Sequence, residues 1–273
     1  MVSHAGLRGA SADSLAALVA DLRSASGTLA DAATTGEELF GVATVLRSEP
    51  ALRRAATDSS VEADAKAALA ESVFGKALGQ GSLAVVIDAV RRRWTASWDL
   101  ANALEHVAVV ALVRSVGKAG DQISDELFAV TRLLEENPEL RSALSDSSRT
   151  AEDRSALLTG LLDGQVLPAT ARLVEQAVAS GSGSVERVLG DYQQIAASAQ
   201  DEMLAVVRTA QELDKKDLER LSIALGKQYA TTVHLHVVVD PDLVGGLRIE
   251  IGDDRIDGTI SSRIDDARRR LVG

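Results

Sequence analysis

The residues best suited to bind a metal are two histidines in an alternating apolar run. His234 and His236 are two residues apart, and side chains at positions i and i+2 of a strand point to the same face, where two imidazoles could share a zinc ion. A third ligand would have to come from His4, His106 or a distant carboxylate, and no spacing brings these close. The pair is therefore predicted to pack under a helix or to face a partner.

The adjacent glycines Gly245 and Gly246 could cradle a phosphate, because glycine lets backbone amides approach an anion. A phosphate-binding loop, however, leads into the N-terminus of a helix. The alternating apolar residues after Gly246 predict a strand instead. We therefore expect a positive φ or a close backbone approach at these glycines, where the chain turns away from Asp240 and Pro241.

Three aspartates around the next turn, Asp253, Asp254 and Asp257, could bind calcium. An EF-hand loop needs acidic ligands at alternate positions, a central glycine and a distant glutamate, all between two helices. Here the loop joins two predicted strands, and Asp and Gly are favoured at hairpin turns for their backbone dihedrals alone. The segment is predicted to be a hairpin turn.

The overall composition disfavours several further classes of protein. A net charge of -11 repels nucleic acid phosphates, and the absence of cysteine excludes disulfides and thiolate sites. The chain contains no nucleophile elbow, P-loop or dinucleotide fingerprint. Its longest apolar stretches fall short of the roughly 20 residues that span a bilayer. We expect no catalytic residues, no cofactor, no metal and no nucleic acid, and membrane attachment only through a partner.

The elements that carry these residues change in character along the chain. Helical periodicity continues to about residue 180, with breaks expected at Gly36 and Pro50 and a capping box formed by Ser59 and Glu62. From about residue 201 the period becomes two, and a strand, helix and strand series predicts parallel strands, followed by a hairpin and a last helix. The fold class is α+β and mostly helical, ending in a small α/β domain with a mixed sheet.

The helical part contains an internal repeat. Residues 39–60 align without a gap on residues 127–148, at a spacing of 88 residues and with about half of the positions identical. The shared residues are structural, such as Pro50 and Pro138 at the first turn of a short helix. We interpret this as a duplicated helical bundle, and predict domains at residues 1–95, 96–200 and 201–273.

The segment from Val238 to Leu271 resembles the C-terminal signature of the δ subunit of F-type ATP synthases, which is called the oligomycin sensitivity-conferring protein in mitochondria. The resemblance covers Trp98 to Gly273, and the preceding repeat resembles the longer δ subunits of some high-GC bacteria. Thr259 stands where the family usually has serine. The matching signature positions are Asp240, Pro241, Gly245, Gly246, Gly252, Asp253, Asp257 and Gly258.

The resemblance implies a non-catalytic stator subunit. In this family the helical bundle grips N-terminal segments of α subunits, and the C-terminal domain holds the C-terminal helix of the b subunit. The implied location is the cytoplasmic side of the cell membrane, as a peripheral part of the ATP synthase. Either bundle could contact the catalytic head, and we expect the second to do so. A helical scaffold of another assembly, or a metal-dependent enzyme that uses His234 and His236, are the alternatives.

Overall fold

The computed structural model describes residues 6–258 except for 25–27, 147–149, 181–183, 201, 230–231, 242, 244 and 252–253. These residues form twelve α-helices and a four-stranded mixed sheet, which confirms the predicted fold class. The chain divides into two compact units, one ending at Ala196 and the other beginning at Ala197. The last helix predicted from sequence, which Ser261 or Ser262 is expected to cap, lies outside the described residues.

Eleven described helices precede the sheet. They are α1 (Ala10–Ser24), α2 (Leu29–Ser48), α3 (Pro50–Thr57), α4 (Ala63–Phe74), α5 (Gln80–Arg91), α6 (Ser97–Ser115), α7 (Gly120–Glu136), α8 (Pro138–Ser145), α9 (Ala151–Leu162), α10 (Pro168–Ala179) and α11 (Val185–Ala199).

The helix break predicted at Gly36 is wrong, because α2 runs through this residue and ends only before Glu49 and Pro50. Gly36 is buried against α6. A Cβ atom at this position would lie 2.8 Å from Leu112 Cγ and 3.0 Å from the carbonyl oxygen of Ala108. Glycine is therefore needed here for the close approach of two helices, and it does not end the first one.

The capping box predicted from Ser59 and Glu62 is also wrong. Glu62 is itself the N-cap residue of α4, and it makes no side-chain cap hydrogen bond. The Asp58 carboxylate instead accepts hydrogen bonds from the backbone N–H and the hydroxyl of Ser60, at 2.8 and 2.7 Å. The hydrogen-bonded turn before α4 is thus closed by Asp58 and Ser60, and not by the predicted pair.

The helix bounds repeat at the spacing found in the sequence. The pairs α3 and α8, α4 and α9, and α5 and α10 begin and end 88 residues apart. Helices α2 and α7 end at this spacing, and α6 and α11 begin at it. The backbone thus follows the sequence spacing, which supports the interpretation of a duplication.

Helix α6 is equivalent, by the 88-residue spacing, to one helix before it and to one helix after it in the chain. It corresponds to α11 one repeat later and, within three residues, to α1 one repeat earlier. It packs against α1, α2, α3 and α5, and also against α7 and α10. Twelve of its 19 residues are buried, as expected for a helix surrounded by others. We call α1–α6 the first bundle and α6–α11 the second bundle, with α6 common to both.

No single described helix is long and apolar enough to cross a membrane. Helices α6 and α7 meet that test of length and composition only as a pair, with a bend of 118° between them.

The second unit is built on four strands and one helix, with the strand order β2-β1-β3-β4. Its elements are β1 (Glu202–Thr209), α12 (Lys215–Tyr229), β2 (Thr232–Val239), β3 (Leu247–Ile251) and β4 (Asp254–Asp257). β1 and β2 pair in parallel, as the crossover rule predicts, whereas β1, β3 and β4 pair antiparallel.

The core of this unit lies between α12 and one face of the sheet. Alternate residues of the strands supply it, because successive side chains of a strand point to opposite faces. Asp214 accepts a hydrogen bond from the Asp217 N–H at 2.7 Å and so caps α12. The Ser222 hydroxyl of α12 donates to the carbonyl of Val233 at 2.8 Å. The buried core residues are Ala205, Val207, Leu225, Val233, Ile249 and Ile251.

Candidate interaction surfaces

The first half of the C-terminal signature forms the connection from β2 to β3. Asp240 and the exposed Pro241 follow β2, and the Asp240 N–H donates to the carbonyl of Thr209 at 2.8 Å. Gly245 and Gly246 have φ values of 151° and 83° and precede β3 directly. Positive φ is accessible to glycine without a Cβ clash, so the two residues let the chain turn into the strand, as predicted.

The two aspartates of the predicted turn that the structure describes, Asp254 and Asp257, do not converge on one point. Gly252 and Asp253, which join β3 to β4, lie outside the described residues. Asp254 is exposed and accepts a hydrogen bond from the Tyr229 hydroxyl at 3.0 Å. Asp257 lies three residues further along β4 and therefore on the opposite face. This geometry is that of a hairpin, and the two described carboxylates cannot share an ion.

The end of the hairpin is held by contacts across the strand pair. Asp257 lies directly opposite Arg248, with 3.5 Å between carboxylate and guanidinium atoms. Gly258 donates its N–H to the carbonyl of Leu247 at 2.9 Å. A Cβ atom on Gly258 would lie 3.2 Å from that same oxygen. The glycine of the Asp-Gly step thus permits a close approach of two backbones.

The two histidines of β2 lie on one face, as predicted. Their ring centroids are 5.1 Å apart in an edge-to-face arrangement, which is a favourable contact between rings. His236 is buried, with 3% of its surface exposed, and His234 is half-buried.

A polar network at the centre of the helical unit connects helices of both bundles. Arg47 of α2 donates to the carboxylate of Glu105 on α6 and, at 3.2 Å, to Asn102. The Tyr192 hydroxyl of α11 donates to the other Glu105 oxygen, and the Tyr192 ring lies 6.0 Å from that of Phe40. Glu105 therefore receives donors from α2 and from α11.

Burial governs the electrostatics of this network. Tyr192 is 2% exposed, and burial raises its pKa well above 10.0, with a further contribution from the Glu105 charge. The hydroxyl is thus held as a neutral donor to a carboxylate. The side chains of Arg47 and Glu105 are 18% and 14% exposed, so solvent screens their ion pair only weakly.

An arginine and a tryptophan close one end of the first bundle. Arg53 of α3 donates through Nη1 to the carbonyls of Leu46 and Arg47, at 2.8 and 3.1 Å. These carbonyls belong to the last turn of α2, so the arginine helps to satisfy a helix C-terminus. Its guanidinium carbon lies 3.6 Å from the ring centroid of Trp98, the second residue of α6. Two hydrogen bonds and a cation–π contact together hold the Arg53 side chain in place.

The corresponding place in the second bundle is an open cleft. Arg141 and Glu186 lie 88 residues after Arg53 and Trp98. The Nε atom of Arg141 is 3.9 Å from Glu186 Oε1, and this buried oxygen accepts no hydrogen bond from the residues that the structure describes. The cleft has a volume of about 560 Å³ and is lined by Glu135, Pro138, Arg141, Ser142, Ser184 and Glu186.

Exposed apolar side chains occur in both units. Val73 of α4 and Leu161 of α9 are 44% and 49% exposed, and they occupy equivalent positions of the two bundles. In the second unit Ile223 on α12 is 51% exposed. Single exposed apolar residues are normal on protein surfaces, but they are also the usual anchors of helix docking.

Sequence patterns do not identify the residues of the polar network. Arg47 and Glu105 are 58 residues apart and Glu105 and Tyr192 are 87 apart, so no local spacing rule connects them. The available signal is that Glu105 is the only Asp, Glu, Lys or Arg in the mostly apolar run Leu100–Val113.

Comparison with known proteins finds a family model and relatives in other organisms. Residues 107–271 match the family model described as the ATP synthase delta (OSCP) subunit. The chain is 49% identical to the ATP synthase subunit delta of Nocardioides sp. over 98% of both chains. It is 39% identical to that of Streptomyces coelicolor, over 98% of this chain and 99% of the relative. A chain of the cryo-EM structure of the Toxoplasma gondii mitochondrial ATP synthase hexamer is similar over 60% of this chain and 95% of its own length, at 16% identity and a TM-score of 0.36.

Proposed function

Because the chain belongs to the ATP synthase δ (OSCP) subunit family, we propose that it links the catalytic head of the enzyme to the membrane-anchored b subunit. The δ subunit is a structural, non-catalytic stator component of the ATP synthase, which is a membrane-associated complex. The proposal adds the two partners and the side of the membrane, which is the cytoplasmic one.

The physical task of such a link is to resist torque. A turning rotor would carry the catalytic head round with it unless a stator holds the head in place. A stator element needs large interfaces and stiff connections, and it needs no reactive groups. The helical bundles, with their exposed apolar positions on α4 and α9, are suited to helix docking.

We propose that the second bundle contacts N-terminal segments of the α subunits. The family match begins at residue 107, within α6, and includes the second bundle but not α1 to α5. The helical residues that the family model matches are therefore the second half of α6 and helices α7–α11. In this proposal residues 1–95 form the extra repeat, residues 96–200 the family bundle and residues 201–273 the b-binding domain, with α6 packed into both bundles.

We propose that the α/β domain holds the C-terminal helix of b, and α12 offers one candidate contact. Ile223 is the large apolar side chain that α12 exposes among the described residues, next to the exposed Ala224. An apolar residue on an otherwise polar helix face can anchor the apolar stripe of a partner helix.

The observation that supports this proposal best is the division of the chain into a helical unit and a separate α/β unit. The test is calorimetric titration with the C-terminal half of the b subunit from the same organism. It compares the full chain with a chain that ends at Gln200. We expect saturable binding that is lost on truncation.

Two point variants make the test more specific. Ile223→Glu places a charge in the proposed contact and should weaken b binding about tenfold or more. Ala224→Glu introduces the same charge at the neighbouring exposed position and should have a much smaller effect. Binding that survives truncation would move the b site into the helical unit. Absence of binding by the full chain would favour a scaffold of another assembly.

A further inference from the structure

The two bundles differ at one pair of equivalent positions. In the first bundle the indole of Trp98 lies against the Arg53 guanidinium. In the second bundle the equivalent residues are Glu186 and Arg141. The shorter glutamate side chain leaves a cleft of about 560 Å³ beside the arginine, a volume within the usual range of binding pockets.

The first bundle shows what kind of group packs beside Arg53, the residue equivalent to Arg141. A flat aromatic ring contacts the guanidinium face, and Arg53 is only 6% exposed beneath it. The side chain of Arg141, in contrast, is 51% exposed, and its contact with Glu186 is long, at 3.9 Å. The guanidinium face of Arg141 is thus available to a ring that comes from outside the bundle.

The cleft also presents a hydrogen-bond acceptor. Glu186 Oε1 is buried and accepts no hydrogen bond from the described part of the chain. A buried acceptor without a donor is unfavourable, and a donor from a ligand would relieve that cost. Glu135 supplies a second carboxylate at the cleft wall. The preferred occupant therefore combines a π face with an N–H or O–H donor.

We propose that the cleft of the second bundle takes a tryptophan or tyrosine side chain from the subunit segment that docks there. The ring lies against Arg141, and the N–H or O–H donates to Glu186. This inference rests on the proposed function, since it names the chemistry of the contact between the second bundle and the catalytic head.

The test measures binding of the full chain to the isolated catalytic head of the same synthase. Glu186→Trp fills the cleft with the indole that the first bundle carries, and should weaken binding at least about tenfold. Its melting temperature should stay at or above that of the unsubstituted chain. Gln194→Trp adds the same indole at an exposed position of α11 outside the cleft lining, and should change binding less than about twofold.

A second variant separates an aromatic occupant from a cationic one. Arg141→Gln removes the guanidinium face, so an aromatic occupant should bind about three- to tenfold more weakly, from the usual strength of a cation–π contact. A lysine or arginine occupant would instead bind more tightly, because a positive charge has been removed beside it.

Each result has a distinct meaning. Loss of binding in Glu186→Trp and Arg141→Gln, with Gln194→Trp unchanged, would support the inference. Tighter binding by Arg141→Gln, or unchanged binding by Glu186→Trp, would overturn it and leave the stator function standing. If the unsubstituted chain failed to bind the head, the proposed head contact would fail as well.

Discussion

Two glycines of α2 should respond oppositely to alanine. Gly36 is buried against α6, whereas Gly41 is exposed and a Cβ atom there would meet nothing within 4 Å. We predict that Gly36→Ala destabilises the helical unit and that Gly41→Ala stabilises it. The two variants share a helix and a chemical change, so they differ only in what the new methyl group contacts.

The magnitude follows from these contacts. Alanine is favoured over glycine inside a helix by about 1 kcal/mol, and this gain applies at both positions. At Gly36 the methyl carbon would lie 2.8 Å from Leu112 Cγ, well inside the roughly 3.5 to 4.0 Å of a favourable carbon contact. Relief requires α2 and α6 to separate, and such overpacking costs about 1 to 3 kcal/mol. Gly36→Ala should therefore be about 1 to 3 kcal/mol less stable than Gly41→Ala.

Tryptophan fluorescence can report on the first bundle alone. The chain has two tryptophans, Trp94 and Trp98, and both lie in the first bundle. Urea titration followed by tryptophan fluorescence therefore reports the unfolding of this bundle without a signal from the α/β unit. Equal stability of the two variants would refute the close packing of α2 on α6.

Three further predictions concern other parts of the structure. Glu105→Gln should lower the free energy of unfolding by about 1.5 to 3 kcal/mol in the same titration, because the amide offers Arg47 and Tyr192 one acceptor oxygen in place of two and leaves the Arg47 charge without its partner. No loss would argue against the network. Above pH 10 the free energy of unfolding should fall as pH rises towards the raised pKa of Tyr192, because only the unfolded state loses the phenol proton in this range. The Tyr192→Phe variant should lose less stability over the same range. An equal pH dependence of the two proteins would contradict the raised pKa of Tyr192. Gly246→Ala should lower the free energy of unfolding of the α/β unit by about 1 to 2 kcal/mol, because Gly246 has a φ of 83° that alanine adopts only with strain. Unfolding is followed by circular dichroism. Gly190→Ala in α11, where a Cβ atom would meet nothing within 4 Å, is the control.

Much of the α/β unit was predictable because its signals are local. An alternating apolar run, a capping aspartate and two glycines before a strand each act within a few residues. The alternating apolar run that carries His234 and His236 forms the strand Thr232–Val239, and the parallel pairing of β1 and β2 follows from the helix between them. Fold class and family membership could therefore be inferred from the chain alone.

The helical unit was harder to predict because its determinants are distant in sequence. Glycine is a residue type that often ends helices, but Gly36 allows α2 to approach Leu112, which is 76 residues away in the sequence. Ser59 and Glu62 have capping spacing, but Glu62 is itself the N-cap residue of α4, and the turn before it is closed by a hydrogen bond from Ser60 to Asp58. The cleft beside Arg141 is open because position 186 carries a glutamate, whereas the equivalent position of the first bundle carries Trp98. This difference is seen only when the two bundles are compared.

The packing of α6 in both bundles has a mechanical consequence for a stator. If the two bundles were joined by a linker, a load on the second would be carried to the first through a hinge. They instead share α6, and Glu105 on this helix receives donors from α2 and from α11. Moving one bundle relative to the other would expose buried faces of α6 and separate a partly buried ion pair. Helices α1 to α5 therefore extend a stiff body, which is what a subunit that resists torque requires.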